Sequence, residues 1–222
     1  MVDMSFQRAR SDEQREVRRQ RILAVASDML EEMPVAQVSL NELSRRVGLA
    51  KSNVLRYFES REAILLQLLD AELHQWAAQV DAMLVETPAD RAERIAQVAD
   101  LMAESIAARP VLCDLISAQS AVLERNISTE VAMQHKYAIG GEVQTVVRAM
   151  VRAVPELSEA QAWQVLAYTI LLTAGAWPQS RPAPAIQAAY DLYPQLAAGQ
   201  MDFTDTVRDL IRITITGLLA SA

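Results

Sequence analysis

Apolar residues recur every three or four positions along most of the chain and almost never at every second position. Leu65, Leu69, Leu73, Trp76, Val80 and Leu84 step by 4, 4, 3, 4 and 4, which puts one apolar stripe along a long helix. Ile22, Ala26, Met29 and Met33 step by 4, 3 and 4. A chain patterned this way buries helix against helix, so the expected class is all-α. The sequence has only 6 glycines in 222 residues, which leaves few interior breaks. Its abundant Ala, Leu, Glu, Arg and Gln lose little on entering a helix.

Start and stop signals divide the chain into nine or ten helices. The first is expected over about 13–32 and ends before Pro34. Ser39-Leu-Asn-Glu42 has the form of a capping box and opens a second helix, which Gly48 can terminate in the left-handed conformation. A short helix is expected over 51–57 and a long one over 60–86. Thr87-Pro88-Ala89-Asp90 marks a break and a new start. Further helices are expected over about 90–109, 110–126, 128–154, 158–177 and 202–220. Ser158-Glu-Ala-Gln161 forms a second capping box, and Asp202 caps the last helix. Pro178, Pro182, Pro184 and Pro194 reduce 178–200 to a connector with one short helix. Gly140-Gly141 costs its helix roughly 1–2 kcal/mol relative to alanines and marks either a kink at a pocket or a close helix crossing.

Net charge is −7, unevenly spread: residues 1–62 carry a net +1 and residues 63–222 a net −8. The N-terminal part can therefore present a basic face despite the acidic whole. A single cysteine, Cys113, rules out an intrachain disulfide and fits a reducing cytoplasm. The first residues lack the apolar core of a signal peptide. The uncharged run 160–180 contains Gln161, Gln164, Thr169, Thr173, Gly175 and Pro178, so a buried helix is expected rather than a membrane span. No His, Cys and carboxylate set has metal-ligand spacing, and no glycine-rich phosphate loop is present. Neither His74 nor His135 is placed to activate a serine. No enzyme, metal or cofactor is expected.

The segment 39–58, SLNELSRRVGLAKSNVLRYF, joins two short helices through a tight turn at Gly48, a helix-turn-helix pattern. Leu40, Leu43, Val47, Leu49, Val54 and Phe58 can pack as a small core. That leaves Lys51, Ser52, Asn53 and Arg56 outside. Lys and Arg suit guanine edges, Asn suits adenine, and Ser suits several acceptors, so this face has the chemistry of a helix laid into the major groove.

The wider stretch VSLNELSRRVGLAKSNVLRYFESREAILLQLL, residues 38–69, resembles the TetR family of bacterial regulators. The matching features are a polar cap, an aliphatic residue and Gly before a short recognition helix, the pair Tyr57-Phe58, then Ser60 and Arg61-Glu62-Ala63-Ile64 opening a long helix. The resemblance implies roles for individual residues. Ser39 would cap its helix and touch phosphate, with Asn41 near the groove. Lys51, Ser52, Asn53, Leu55 and Arg56 would lie on the recognition helix, and Tyr57 would donate its hydroxyl to a phosphate. Arg61 would replace the usual lysine and grip a phosphate bidentately. A basic arm of Arg8, Arg10, Arg15, Arg18, Arg19 and Arg21 would follow the backbone or enter the minor groove. Three positions depart from the family pattern. Ala50 stands where a serine cap is common, a loss of ~1 kcal/mol. Leu55 replaces an aromatic and either forfeits a backbone contact or meets a thymine methyl. Ser52-Asn53 replaces a pair of small residues.

The resemblance implies an N-terminal three-helix helix-turn-helix DNA-binding domain, residues 1–62, and a C-terminal helical ligand-binding and dimerisation domain, residues 63–222. The implied partners are double-stranded DNA with a palindromic operator, a second copy of the chain, and a small apolar or amphipathic ligand that releases a repressor. The alternatives are control of the same fold by a protein partner, or a helical enzyme or adaptor that does not bind DNA. Residues 160–177 are apolar nearly all round, as is the last helix, and such helices need cover on every side. The expected dimer interface uses Leu166, Ile170, Ala174, Leu210, Thr214 and Leu218, with Gly175 and Gly217 permitting close approach; plain intramolecular core is the competing reading. Met102, Ile106, Cys113, Ile116, Gln119, Met133, Tyr137, Trp163 and Tyr168 combine apolar area with polar handles and are the expected pocket.

Overall fold

In the computed structural model, residues 4–85 and 90–221 are described, with side chains from residue 13 onward. The side chains of Arg8 and Arg10 and the expected break at Thr87-Pro88-Ala89 lie outside the described residues. Those described form ten α-helices and no strand: α1 (Met4–Glu32), α2 (Leu40–Val47), α3 (Lys51–Val54), α4 (Arg61–Met83), α5 (Arg91–Ala107), α6 (Pro110–Ala118), α7 (Thr129–Ala153), α8 (Glu159–Ser180), α9 (Pro184–Leu192) and α10 (Phe203–Ala220). Short 3₁₀ turns occupy Val35–Gln37 and Pro194–Gly199, and a π-helical turn occupies Gln119–Leu123.

Helices α1–α3 form the N-terminal unit. Ile22, Ala26 and Met29 of α1 are buried with Leu43, Val47, Val54 and Phe58, as the apolar spacing predicts. α4 packs against α1 at its start and against α5, α6 and α7 further along, so it belongs to both units. α10 packs on α5 and α8, and α8 also packs on α6 and α7. At the centre, Trp76 of α4 is buried and donates its indole N–H to Ser105 Oγ of α5 at 3.0 Å.

Several boundaries differ from expectation. α1 begins at Met4 rather than near residue 13, since no proline or glycine stands within 4–32 to interrupt it. α3 closes at Val54 and continues as turns to Tyr57; its N-cap, Ala50, has no side-chain bond to give. The expected helix over 110–126 becomes α6 plus the π turn. α8 passes through Pro178 to Ser180, losing ladder bonding only in its last turn. The connector 178–200 holds α9 and a 3₁₀ turn, two elements instead of one. The Ser158–Gln161 capping box is complete. The one at Ser39 is half made: Ser39 Oγ accepts from Glu42 N at 3.1 Å, but the Glu42 carboxylate turns to Arg45 and Arg46.

Gly48 ends α2 at φ 77°, and its N–H reaches the carbonyls of Ser44 and Arg45. A Cβ here would meet nothing within 4 Å, so substitution costs backbone strain alone. Gly48→Ala is expected to lower stability by about 1–2 kcal/mol, read as a lower urea midpoint at unchanged m-value. An unchanged midpoint would mean that the turn accommodates a side chain.

Candidate nucleic-acid interface and regulatory cavity

The α2–turn–α3 unit carries its polar residues outward. Lys51, Ser52, Asn53 and Arg56 are exposed, as is Asn41, and Leu55 is 40% exposed. Val54, between them in sequence, is fully buried and anchors the helix. The side chains of Lys51, Ser52, Asn53 and Arg56 make no hydrogen bond or ion pair with the described residues, so their donors and acceptors remain open to a ligand. Ser39 Oγ is spent as an acceptor on its own helix, which leaves its hydroxyl hydrogen to donate.

Beside this face, Gln14, Arg15 and Arg18 of α1 line a cleft with Arg56 and Tyr57, about 460 Å³ in volume. Arg18 Nη1 donates to Tyr57 Oη at 3.4 Å. The tyrosine hydroxyl therefore accepts from one side and keeps its own proton to donate to an anion.

Two of the expected phosphate contacts are occupied elsewhere. Arg61 donates through Nη1 to Val38 O at 2.9 Å and pairs with Glu62 at 3.0 Å. In the first turn of α4 it points back under the helix-turn-helix and braces it. Arg19, expected in the basic arm, donates to Tyr57 O at 3.1 Å and to Gln67, and its guanidinium lies 4.4 Å over the Phe58 ring. It ties the end of the recognition unit to α4. Arg45 and Arg46 are also engaged: their hydrogen bonds, Arg45 first, hold the Glu42 carboxyl down to about 2, and Arg46 reaches Glu32 at 2.7 Å.

In the regulatory half, α4, α7 and α8 flank a half-open apolar cavity of about 300 Å³ lined by Leu73, Trp76, Ala77, Ile116, Gln119, Ile139, Glu142, Val143, Val146, Trp163, Leu166, Ala167 and Ile170. Of the nine pocket residues expected, Ile116, Gln119 and Trp163 line it. Met102, Ile106 and Cys113 are fully buried between helices and do not line it. Burial pushes the Cys113 thiol up to about 12. Met133 and Tyr137 are 53% and 78% exposed on the outer face of α7. Tyr168 lines a different groove, between α8 and α10, with Leu171, Leu172, Gly175, Gln179 and Leu210. Two of the expected interface residues also turn inward: Leu166 and Ile170 face the cavity. The open face instead carries Tyr168, Leu171 and Ile213, all exposed, with Gly175 and Gly217. Ala174, Leu210, Thr214 and Leu218 are half-buried along its margins.

Periodicity gave no sign of a polar chain that starts at the cavity wall. The π turn, a feature often found at functional sites, carries Gln119, whose Nε2 donates to Glu124 at 2.9 Å and to His135 Nε2 at 3.1 Å. With Nε2 accepting, the imidazole carries its hydrogen on Nδ1 and donates it to Asp70 Oδ1 of α4 at 2.6 Å. Lys136, followed by burial acting in the opposite sense, governs Glu124, whose carboxyl is held below its usual range. Asp70 and His135 also line the cleft between the two units, together with Arg19, Tyr57 and Gln67. Glu59, just past the recognition unit, accepts from Ser128 N at the start of α7 at 2.6 Å.

Among the described residues no group of three His, Cys, Asp or Glu could hold a metal ion, and no single helix is long and apolar enough to cross a membrane.

The fold and the open polar face of α3 define a helix-turn-helix regulator. Residues 22–68 match the family described as bacterial regulatory proteins, tetR family, and residues 70–222 match the tetracyclin repressor-like C-terminal domain. The chain belongs to the TetR family of bacterial regulatory proteins. The HTH-type transcriptional regulator EthR of Mycobacterium tuberculosis is 41% identical over 69 residues, covering 31% of this chain and 32% of that protein; the match thus spans about a third of the relative's length. Among solved structures, the fatty acid degradation regulator FadR of Bacillus halodurans aligns with TM-score 0.55 at 13% identity, covering 90% of this chain and 96% of that one. FadR of Bacillus subtilis, in complex with stearoyl-CoA, aligns with TM-score 0.53 at 15% identity, covering 89% and 98%. At these identities the likeness is one of fold.

Proposed function

We propose that this regulator is a cytoplasmic, homodimeric repressor that binds a palindromic operator and is released by a small apolar or amphipathic ligand. The observation that carries the DNA-binding part is the outward row Lys51, Ser52, Asn53 and Arg56, without partners among the described residues, beside the Arg15–Arg18–Tyr57 cleft. The row would read base edges in the major groove, and the cleft would hold the adjoining phosphate. The uncovered apolar face of α8 and α10, with Gly175 and Gly217 opening onto empty space, would join two copies. Dimerisation would set two recognition helices on half-sites about 34–36 Å apart.

The apolar cavity favours a small-molecule effector over control by a protein partner alone. The Bacillus subtilis relative that holds stearoyl-CoA supports an apolar or amphipathic class. Ligand would act through its differential affinity for two states. Gln119 on the cavity wall, His135 and Asp70 offer a direct connection to α4, which carries the helix-turn-helix.

Selection from a random duplex library, followed by anisotropy titration at several salt concentrations, tests the reading. The expected product is an inverted repeat, bound with a steep salt dependence. Failure of a folded dimer to select any sequence at low salt would reject it.

A further inference from the structure

We propose that the cavity between α4, α7 and α8 selects an amphiphile whose polar end is a cation or hydrogen-bond donor, and rejects a free carboxylate; this rests on the reading of that cavity as the effector site. Apart from two indoles, the lining is aliphatic except for Gln119 and Glu142, and both offer acceptors. The Gln119 amide nitrogen is committed to Glu124 and His135, so its carbonyl oxygen is what remains for a ligand. Glu142 Oε1 pairs with His74 Nδ1 at 2.9 Å, and its other oxygen has no partner among the described residues. The two partners differ in exposure: the His74 side chain is 70% exposed and that of Glu142 only 24%. The histidine is therefore largely solvated while the carboxylate stays against the cavity.

No lysine or arginine lines the cavity, so an anionic head group would be desolvated beside a carboxylate with no cation to meet it. The lining indoles add to the preference. Trp76 spends its N–H on Ser105, and the ring of an indole attracts cations and not anions. Trp163 is half exposed and retains one neutral N–H, the only uncommitted donor among the lining side chains.

The test compares decylamine, decanol and decanoate, which share a chain and differ in head group. Each is titrated into the full chain below its aggregation concentration, with quenching of tryptophan fluorescence as the readout; Trp76 and Trp163 both line the site. Decylamine is expected to bind about tenfold or more tighter than decanoate, with decanol between them, because a charge a few ångströms away in a partly solvated site is worth at least that much. Glu142→Gln, nearly isosteric, removes the charge and keeps one acceptor oxygen, and is expected to collapse the ratio of decylamine to decanoate affinity. Equal binding of all three, preference for decanoate, or a ratio unchanged in Glu142→Gln overturns the charge preference and leaves the effector site standing. Failure of all three to bind removes the effector site itself and the proposal with it.

Discussion

Replacing Lys51, Asn53 and Arg56 together by alanine is expected to weaken operator binding more than a hundredfold and to leave thermal stability unchanged. Their side chains are exposed and make no bond with the described residues, so removing them costs the fold no more than about 0.5 kcal/mol. At the operator, each base-edge contact is worth about 1–3 kcal/mol. Three lost together give roughly a hundredfold at the low end and more than a millionfold at the high end. Single variants separate their roles. Asn53→Ala should relax preference at one base pair, whereas Tyr57→Phe should weaken all sequences alike, the mark of a phosphate contact. Anisotropy titration at fixed salt, against the selected operator and a scrambled duplex, reads both. Undiminished affinity in the triple variant would remove α3 from the interface. Arg61→Ala is a useful contrast: its guanidinium is bonded to Val38 and Glu62, so its loss should register in stability as well as in binding.

The helix-turn-helix was legible because its determinants are local. Ser39, Gly48 and the spacing of Leu43, Val47, Val54 and Phe58 specify two helices and the turn between them within twenty residues. The destination of a basic side chain is not local. Arg19 and Arg61 read as phosphate ligands, yet they close on carbonyls 38 and 23 positions away, and nothing in the intervening sequence announces that. α8 illustrates a second limit. Apolar nearly all round, it has no periodicity to allot its faces, so only packing reveals that Leu166 and Ile170 face the cavity while Tyr168 and Leu171 face out. On α7, Met133 and Tyr137 have the right chemistry on the wrong face; Ile139, Glu142, Val143 and Val146 turn inward instead. The pairing of His135 with Asp70 was equally hidden, because Asp70 lies 65 positions earlier, on another helix.

That histidine supports the second large effect. In His135→Phe the ligand response is expected to collapse, with operator affinity in the absence of ligand, and ligand affinity itself, changing by less than about threefold. His135 and Asp70 are absent from the cavity lining, so the substitution removes no direct ligand contact. Phenylalanine keeps a ring in the buried space but can neither accept from Gln119 nor donate to Asp70. Coupling between two sites is typically worth about 1–3 kcal/mol, a 5–150-fold change in affinity. If most of it passes along Gln119, His135 and Asp70 into α4, the ratio of operator affinities without and with a saturating amphiphile falls from that range toward one. Asp70→Ala, which removes the acceptor on α4 and leaves the histidine in place, should reproduce the loss. A ratio that survives both substitutions would mean that α4 is moved by its apolar contacts with the cavity, through Leu73 and Ala77 against Val143 and Val146. The polar chain would then serve only to satisfy a buried histidine.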